Sequence, residues 1–350
     1  MTAIWVIGLN DVISQAISFI KNLPWTDTVE PVLQTLATPG WWQLLLCFFA
    51  CSVLMIISLN AIEKNGFEGT VIGTLIMPYF SGFPNLSFAY LMAQKGSDGA
   101  VVLENCLVNN VTTLTIILAI PAMLWGLNLF KGKKTDDSET RVNRLSLVLS
   151  LMAMVFFGAA VFVVSRDGTI DTTDGMLLVG LFLFWQLYHV FDVLKNKTRS
   201  EAKIRPRIWF DLVIVGLCAW GIFSSIDSLV EWVSSRETGI FSRHHLGVLS
   251  GVLMVMPNAL LAFFYSIANR SDIAYSSQIG DCHICIPLCI GVFALFSPIA
   301  VYSGFQISLY VLTGAAGVHL IFLIFSGRLP RSAGLVLTGL YGFFIYKGSF

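Results

Sequence analysis

The chain has 350 residues, of which 56% are hydrophobic and only 12% are charged, and its mean hydropathy is +0.77. This composition excludes an ordinary soluble globular domain and indicates a protein that lies in lipid over most of its length. The 21 basic residues balance the 21 acidic ones, and no long charged block of the kind that binds nucleic acid is present.

The first 40 residues predict an amphipathic segment in the membrane interface. Their apolar residues recur at roughly helical spacing from Ile4 to Ile20, which is typical of a helix that lies flat on a bilayer. No basic region precedes this run, and Asn10 and Asp11 interrupt it. A cleaved signal peptide is therefore not expected.

Ten apolar stretches follow, and each is long enough to cross a bilayer, which takes about 20 residues. The predicted fold is an all-α multi-pass membrane protein with ten transmembrane helices. The stretches lie near residues 41–60, 67–94, 100–130, 144–165, 172–195, 208–235, 244–270, 273–298, 306–326 and 332–349.

Basic residues predict the orientation of these helices. If the loops after odd-numbered spans share one side, that side carries fifteen of the 21 Lys and Arg residues. The positive-inside rule then places the connector 196–207 in the cytoplasm and both termini on the other side of a plasma or inner membrane. The connector separates two five-helix units, 41–195 and 208–350. Because five is odd, the second unit enters from the opposite face, so the two units are predicted to be inverted repeats.

The two halves share a sequence pattern that favours a transporter. Pro84-Asn85 lies in the second stretch and Pro257-Asn258 in the seventh, and each pair is followed by an apolar run and then by Ser-Asp-x-Ala. Hydrophobic segments interrupted at matching positions of two halves are the usual sign of a transporter's substrate site, because a broken helix frees backbone groups for an ion. We therefore expect both pairs to interrupt their helices at one shared site.

These motifs resemble the cation/calcium exchanger superfamily, which includes sodium/calcium exchangers and proton-coupled relatives. Its two repeats each carry a signature of the form GTSxPE and then D-I-A-x-G-N-x-x-G-S-N. Here residues 80–85 read FSGFPN and residues 104–110 read ENCLVNN, while residues 253–258 read LMVMPN and residues 271–282 read SDIAYSSQIGDC. The resemblance implies ten spans in two inverted repeats around a midplane cation site.

The departures from the signature change the expected substrate. In the family, the carboxylate after each proline is a main cation ligand, whereas both positions are asparagine here. Calcium prefers several hard oxygens, including carboxylates. Asp281 is a membrane-embedded carboxylate of a kind that is usually functional, although a salt-bridged structural aspartate is the alternative. The expected cation-binding residues are Ser81, Asn85, Asn109, Thr113, Asn258, Asp281 and Cys285.

A cluster of cysteines follows Asp281 but does not predict a metal centre. Cys282, Cys285 and Cys289 lie on one expected helix. A continuous helix lacks the turn that gathers zinc ligands, and free cysteine packs well in apolar surroundings. All seven cysteines fall in predicted spans, so a secreted disulfide framework is not expected either. No resident metal or cofactor is predicted.

The leading hypothesis is a secondary active, antiporter-like cation transporter that favours a monovalent or proton-linked substrate over calcium. The sequence lacks phosphate-binding, nucleophile-elbow and dinucleotide motifs, so an enzyme is not expected. Its partners would be membrane lipid and a cation, with H+ or Na+ coupling. A second hypothesis is a transport-inactive subunit or scaffold with the exchanger fold that binds a protein partner in a membrane complex. An exporter of an organic or lipid-linked substrate is a third.

Overall fold

The structure is a computed structural model. It describes residues 40–62, 82–129, 137–196, 207–269 and 271–348. The predicted interfacial segment, the candidate residue Ser81 and all of the central connector except its two end residues lie outside the described residues.

The described chain is helical, with four two-residue strands. It contains two π-helical turns, called here the first π turn (Thr113–Ile117) and the second π turn (Ile284–Cys289). A 3-10 turn covers Arg243–His245. The helices of the first half are α1 (Trp41–Ile62), α2 (Phe83–Gln94), α3 (Gly99–Thr112), α4 (Leu118–Trp125), α5 (Asp137–Val164) and α6 (Thr172–Asn196). Those of the second half are α7 (Arg207–Ser234), α8 (Leu246–Ile267), α9 (Ser271–His283), α10 (Ile290–Ala294), α11 (Phe305–Ser326) and α12 (Arg331–Gly348).

Seven helical stretches among the described residues are long and apolar enough to span a bilayer. Many large apolar side chains on the helices point outward, such as Phe325 at 83% and Trp220 at 73% exposure. An outer surface of this kind is stable only in lipid, so the chain is an integral multi-pass membrane protein. The seven stretches are Trp41–Leu59, Gly99–Trp125, Arg144–Val164, Ile208–Ser234, Arg243–Ile267, Ile273–Ala294 and Phe305–Ser326.

Two of these stretches form the centre of the molecule. The shares buried inside the protein are 78% for Gly99–Trp125 and 83% for Ile273–Ala294, against 33% for Trp41–Leu59. The first central stretch comprises α3, the first π turn and α4, and the second comprises α9, the second π turn and α10. Each half of the chain therefore supplies one central helix that is interrupted in mid-course.

The packing of the surrounding helices is reciprocal between the halves. α4 packs on α12 and α10 packs on α6, while α3 contacts α11 and α9 contacts α5. α1 and α7 pack on each other. The short strands follow the same rule: β1 (Leu127–Asn128) pairs antiparallel with β4 (Arg328–Leu329), and β2 (Thr169–Ile170) pairs antiparallel with β3 (Ile299–Ala300).

Local sequence explains where the central helices begin. Asp98 caps α3, because its carboxylate accepts a hydrogen bond from the Ala100 amide at 2.9 Å, and such a cap satisfies an amide that has no helical partner. The same Ser-Asp pair opens α9 at Ser271. The shared Ser-Asp motif therefore marks the start of the central helix in each half.

The two Pro-Asn pairs differ in structure, which corrects the expectation that both interrupt a helix. Pro84 lies in the first turn of α2, where a missing amide hydrogen costs nothing. Pro257 lies inside α8, which continues from Leu246 to Ile267. Proline removes one helical hydrogen bond but has a φ compatible with the helix. In the second half the described irregularity falls one span later, in the second π turn.

Candidate cation site

Asn85 begins a chain of hydrogen bonds that joins the two halves. Its side chain is buried in the first turn of α2, and its Oδ1 accepts a hydrogen bond from Asn109 Nδ2 of α3 at 3.1 Å. Asn109 Oδ1 in turn accepts from the Cys285 thiol of the second π turn at 3.5 Å. Three of the predicted residues, from three separate elements, are therefore in direct contact.

Asp281 is the buried carboxylate of this region. It lies in the last turn of α9 and is 1% exposed. Asn258 of α8 lies beside its carboxyl group, but among the described residues neither carboxyl oxygen has a partner with full hydrogen-bond geometry. A buried carboxylate is stable only if it is protonated, paired or bound to a cation. Asp281 is therefore a candidate to bind a cation or a proton.

The two parts of the site meet along one face of α9 and the second π turn. Asp281 precedes Cys285 by four residues and acts electrostatically on its thiol. Gln278, three residues before Asp281, donates from Nε2 to the Asn258 carbonyl at 3.1 Å. Asn85, Asn109, Cys285, Asp281 and Asn258 are thus connected through neighbouring contacts.

Two other predicted residues lie at the edge of this network or beyond the described part of the chain. Thr113 starts the first π turn, four residues after Asn109, and is fully buried. Its hydroxyl has no hydrogen-bond partner among the described residues, so it is available to a ligand. Ser81 directly precedes the described Gly82.

The backbone approaches closely at this junction. A Cβ placed on Gly82 would lie 2.8 Å from Ile284 Cβ, at the start of the second π turn. Such a distance is shorter than real side-chain contacts tolerate, so the residue before α2 has to be a glycine. The start of α2 is therefore pressed against the interrupted central helix of the other half.

Asn110 and Gln278, which the sequence did not single out as site residues, support this geometry together with Asn105. Asn110 Nδ2 donates to the Cys282 carbonyl at 2.9 Å and so holds the backbone next to Asp281. Asn105 Nδ2 donates to Ser250 Oγ at 2.9 Å and joins α3 to α8. The spacing of 278, 281 and 285, three and four residues apart, is the signal that could have identified Gln278.

The cysteines are arranged differently from the sequence expectation. Cys282, Cys285 and Cys289 do not share a continuous helix, because Ile286 has non-helical φ and ψ values of −127° and 113°. The Cys289 thiol instead contacts Cys106 of α3. No group of three or more His, Cys, Asp or Glu side chains within the described ranges is arranged to hold a metal ion.

Part of the chain matches a known protein family. The sequence model of the family described as "Sodium/calcium exchanger protein" matches residues 40–191, a stretch that includes Asn85 and Asn109. Residues 40–191 are thus similar to sodium/calcium exchanger proteins. The expected resemblance is thereby confirmed. The matched family is one of exchangers, which are transporters and not enzymes.

Solved structures of the sodium-calcium exchanger NCX_Mj have the same fold as this exchanger-like chain. The structure soaked with 2.5 mM Na+ and 1 mM Sr2+ has a TM-score of 0.61 and 16% identity, and the match covers 87% of this chain and 96% of NCX_Mj. The structure soaked with 100 mM Na+ and 10 mM Sr2+ has a TM-score of 0.61 and 18% identity, with coverages of 88% and 97%. The structure soaked with zero Na+ and Ca2+ has a TM-score of 0.59 and 17% identity, and the match covers 88% of this chain and 97% of NCX_Mj. A comparison with curated proteins gives no match.

Proposed function

We propose that this exchanger-like chain is a secondary active cation transporter whose site is formed by Asn85, Asn109, Asn258, Asp281 and Cys285, with Thr113 at its edge and Ser81 as a further candidate ligand. The observation that carries the proposal is Asp281, which is buried and has no full hydrogen-bond partner among the described residues. Asn258 lies beside its carboxyl group, and Cys285, four residues later, is hydrogen-bonded to Asn109, which in turn is hydrogen-bonded to Asn85. A buried negative charge among neutral oxygen ligands suits a small cation.

We also propose that the site prefers a monovalent or proton-linked cation over calcium. The two positions that follow Pro84 and Pro257 are amides, so Asp281 is the single carboxylate of the described site. Affinity for a divalent ion rises with the number of carboxylate ligands. Thermal unfolding of the purified protein in chloride salts of Na+, K+, Li+ and Ca2+ tests this preference. Stabilisation by Ca2+ well beyond that by any monovalent ion would contradict it.

The proposed mechanism is alternating access between two inverted five-helix repeats, 41–195 and 208–350. The reciprocal packing of α4 on α12 and α10 on α6 supports this proposal, as do the exchanged strand pairs and the interrupted central helix in each half. In this mechanism the two repeats rock against each other around the shared site. The basic connector 196–207 would face the cytoplasm of a plasma or inner membrane.

Flux into liposomes tests the function directly. Reconstituted protein should move the stabilising cation down an imposed gradient. Asp281→Asn should reduce this flux to that of protein-free liposomes, because the isosteric amide removes the charge and keeps the volume. Glu231→Gln, which changes an exposed carboxylate on α7, is the matched control and should retain transport. Unchanged flux in Asp281→Asn would remove this residue from the mechanism.

A second candidate function is a transport-inactive scaffold with the exchanger fold. It is favoured by one observation, namely that Asn85 and Asn109 hydrogen-bond to each other and so satisfy part of the site without an ion. Purification separates the two candidates. A stoichiometric protein partner together with no flux for any tested cation would support the scaffold, whereas cation-dependent thermal stabilisation of the isolated chain would support the transporter.

A further inference from the structure

The first π turn is held by two side-chain donors. The Thr115 hydroxyl donates to the Val111 carbonyl at 2.5 Å. From α11, His319 Nε2 donates to the Leu114 carbonyl at 2.7 Å. Inside a bilayer, irregular backbone persists only where other groups satisfy its hydrogen bonds. These two donors satisfy two carbonyls at the point where the regular ladder of α3 ends.

Burial and ring packing fix the position of the His319 side chain. The residue is fully buried on α11, and its ring packs against the Tyr275 ring with a centroid separation of 5.4 Å. The Leu114 carbonyl can only accept a hydrogen bond, so we assign the imidazole proton to Nε2. The imidazole therefore joins a peripheral helix to the interrupted part of a central one.

The other half of the chain has a related contact, in which the roles of the central and peripheral helices are exchanged. His283 directly precedes the second π turn, and its Nε2 lies 2.9 Å from the Ser150 carbonyl of α5. The contact of α9 with α5 is the counterpart of the contact of α3 with α11. In each half an imidazole–carbonyl hydrogen bond thus joins the central helix to a neighbour, but only in the first half does it satisfy a carbonyl of the π turn itself.

The π turn sets the rotation of one helical segment relative to the next. A π turn holds one residue more than the α-helical turn it replaces, so its loss would rotate α3 against α4 by about 100°. α4 is fixed by its packing on α12, and α3 carries Asn109 four residues before the turn starts at Thr113. The side-chain directions of Asn109 and Thr113 therefore depend on the turn being kept.

We propose that His319 and Thr115 are positioning residues that hold the first π turn and thereby align Asn109 and Thr113 for the cation. The inference rests on the proposed function, because it assumes that Asn109 contributes to cation binding. Neither residue needs to touch the ion. Their effect passes through the backbone of the turn, and the two residues should act in the same direction although they lie on different helices.

Paired variants test this role. Thr115→Val removes the hydroxyl at nearly constant volume, and Thr115→Ser restores it. His319→Leu removes the ring donor, and His319→Gln restores an N–H at a similar reach. The control is Ser326→Ala at the end of α11, which removes an exposed hydroxyl that donates to the Phe322 carbonyl, four residues earlier, at 2.7 Å and lies outside the central helices. Each purified variant is assayed for thermal unfolding across a titration of the salt that stabilises the wild type most.

The expected result separates positioning from simple stability. Thr115→Val and His319→Leu should raise the half-saturating cation concentration by about tenfold. This is the effect expected from the loss of one buried hydrogen bond. Thr115→Ser and His319→Gln should recover most of the wild-type affinity, and Ser326→Ala should keep it. If Thr115→Val and His319→Leu lower the unfolding temperature without cation but change the half-saturating concentration by less than about twofold, the role is structural only and the proposal is overturned.

Hydrogen–deuterium exchange gives a readout that does not need an ion. Amides in the peptide covering residues 111–118 should exchange faster in Thr115→Val and His319→Leu than in the wild type or Ser326→Ala. Unchanged exchange in both variants would overturn the proposal even if a cation binds. If the wild type responds to no cation, the proposed function fails. In that case, faster exchange in the two variants would still support the proposal that His319 and Thr115 stabilise the first π turn. Unchanged exchange would reject that proposal as well.

Discussion

Replacement of Gly251 by alanine tests the close contact between α3, which carries Asn109, and α8, which carries Asn258. Gly251 lies on α8 against α3, and a Cβ at this position would lie 2.8 Å from the Asn105 carbonyl oxygen and 2.9 Å from Val108 Cβ. Gly247, one turn earlier, likewise faces the Glu104 side chain of α3. Small residues four apart let two membrane helices approach closely, and this approach brings Ser250 within hydrogen-bond distance of Asn105.

The magnitude follows from two opposing effects. Backbone cannot yield as a side chain can, so the new methyl group would force α3 and α8 apart, and overpacking of this kind costs about 1–3 kcal/mol. Alanine is a better helix former than glycine and returns up to about 1 kcal/mol. We therefore expect Gly251→Ala to destabilise the protein by about 1–2 kcal/mol. Gly314→Ala on α11, where a Cβ would meet no heavy atom within 4 Å, should be neutral or slightly stabilising.

Thermal unfolding of both variants in the same detergent measures this difference, because each change adds one methyl group to a helical glycine. Gly251→Ala should also weaken the cation response, since it separates the helices that carry Asn109 and Asn258. If Gly251→Ala is as stable as Gly314→Ala, the close approach of α3 and α8 is wrong.

Two further predictions concern residues near the site. Asn110→Ala should destabilise the protein by about 1–2 kcal/mol, because it leaves the Cys282 carbonyl without the amide that donates to it; Asn128→Ala, on an exposed strand residue, should not, and equal thermal unfolding of the two would contradict this role. Burial raises the pKa of Tyr302, between β3 and α11, above its ordinary value of about 10. The folded state thus favours the neutral phenol, and this stabilisation is complete below about pH 10 and is lost as the pH rises further. Tyr302→Phe should therefore lose less stability than the wild type in alkaline buffer, and identical unfolding profiles of the two proteins would refute the shift.

The candidate site illustrates how far local sequence can lead. Asn85, Asn258 and Asp281 stand out in the sequence because polar groups are rare and costly in apolar runs, and the recurrence of Pro-Asn marks two of them as related. Which backbone is irregular could not be inferred in the same way. Pro257 stays helical, whereas the second π turn lies beyond Asp281. Proline identity sets only a local preference, while the hydrogen-bond partners that permit irregular backbone come from other helices.

The sequence by itself determined the lipid environment, the helical class and the family resemblance, because hydrophobic length and short motifs are local properties of the chain. Only the tertiary structure decided that Asn109 bridges Asn85 and Cys285, and that Gln278 binds the Asn258 backbone. Contacts between residues this far apart in the chain depend on how the helices pack and rotate. Helix rotation follows from close side-chain packing over the whole molecule, which no single stretch of sequence specifies.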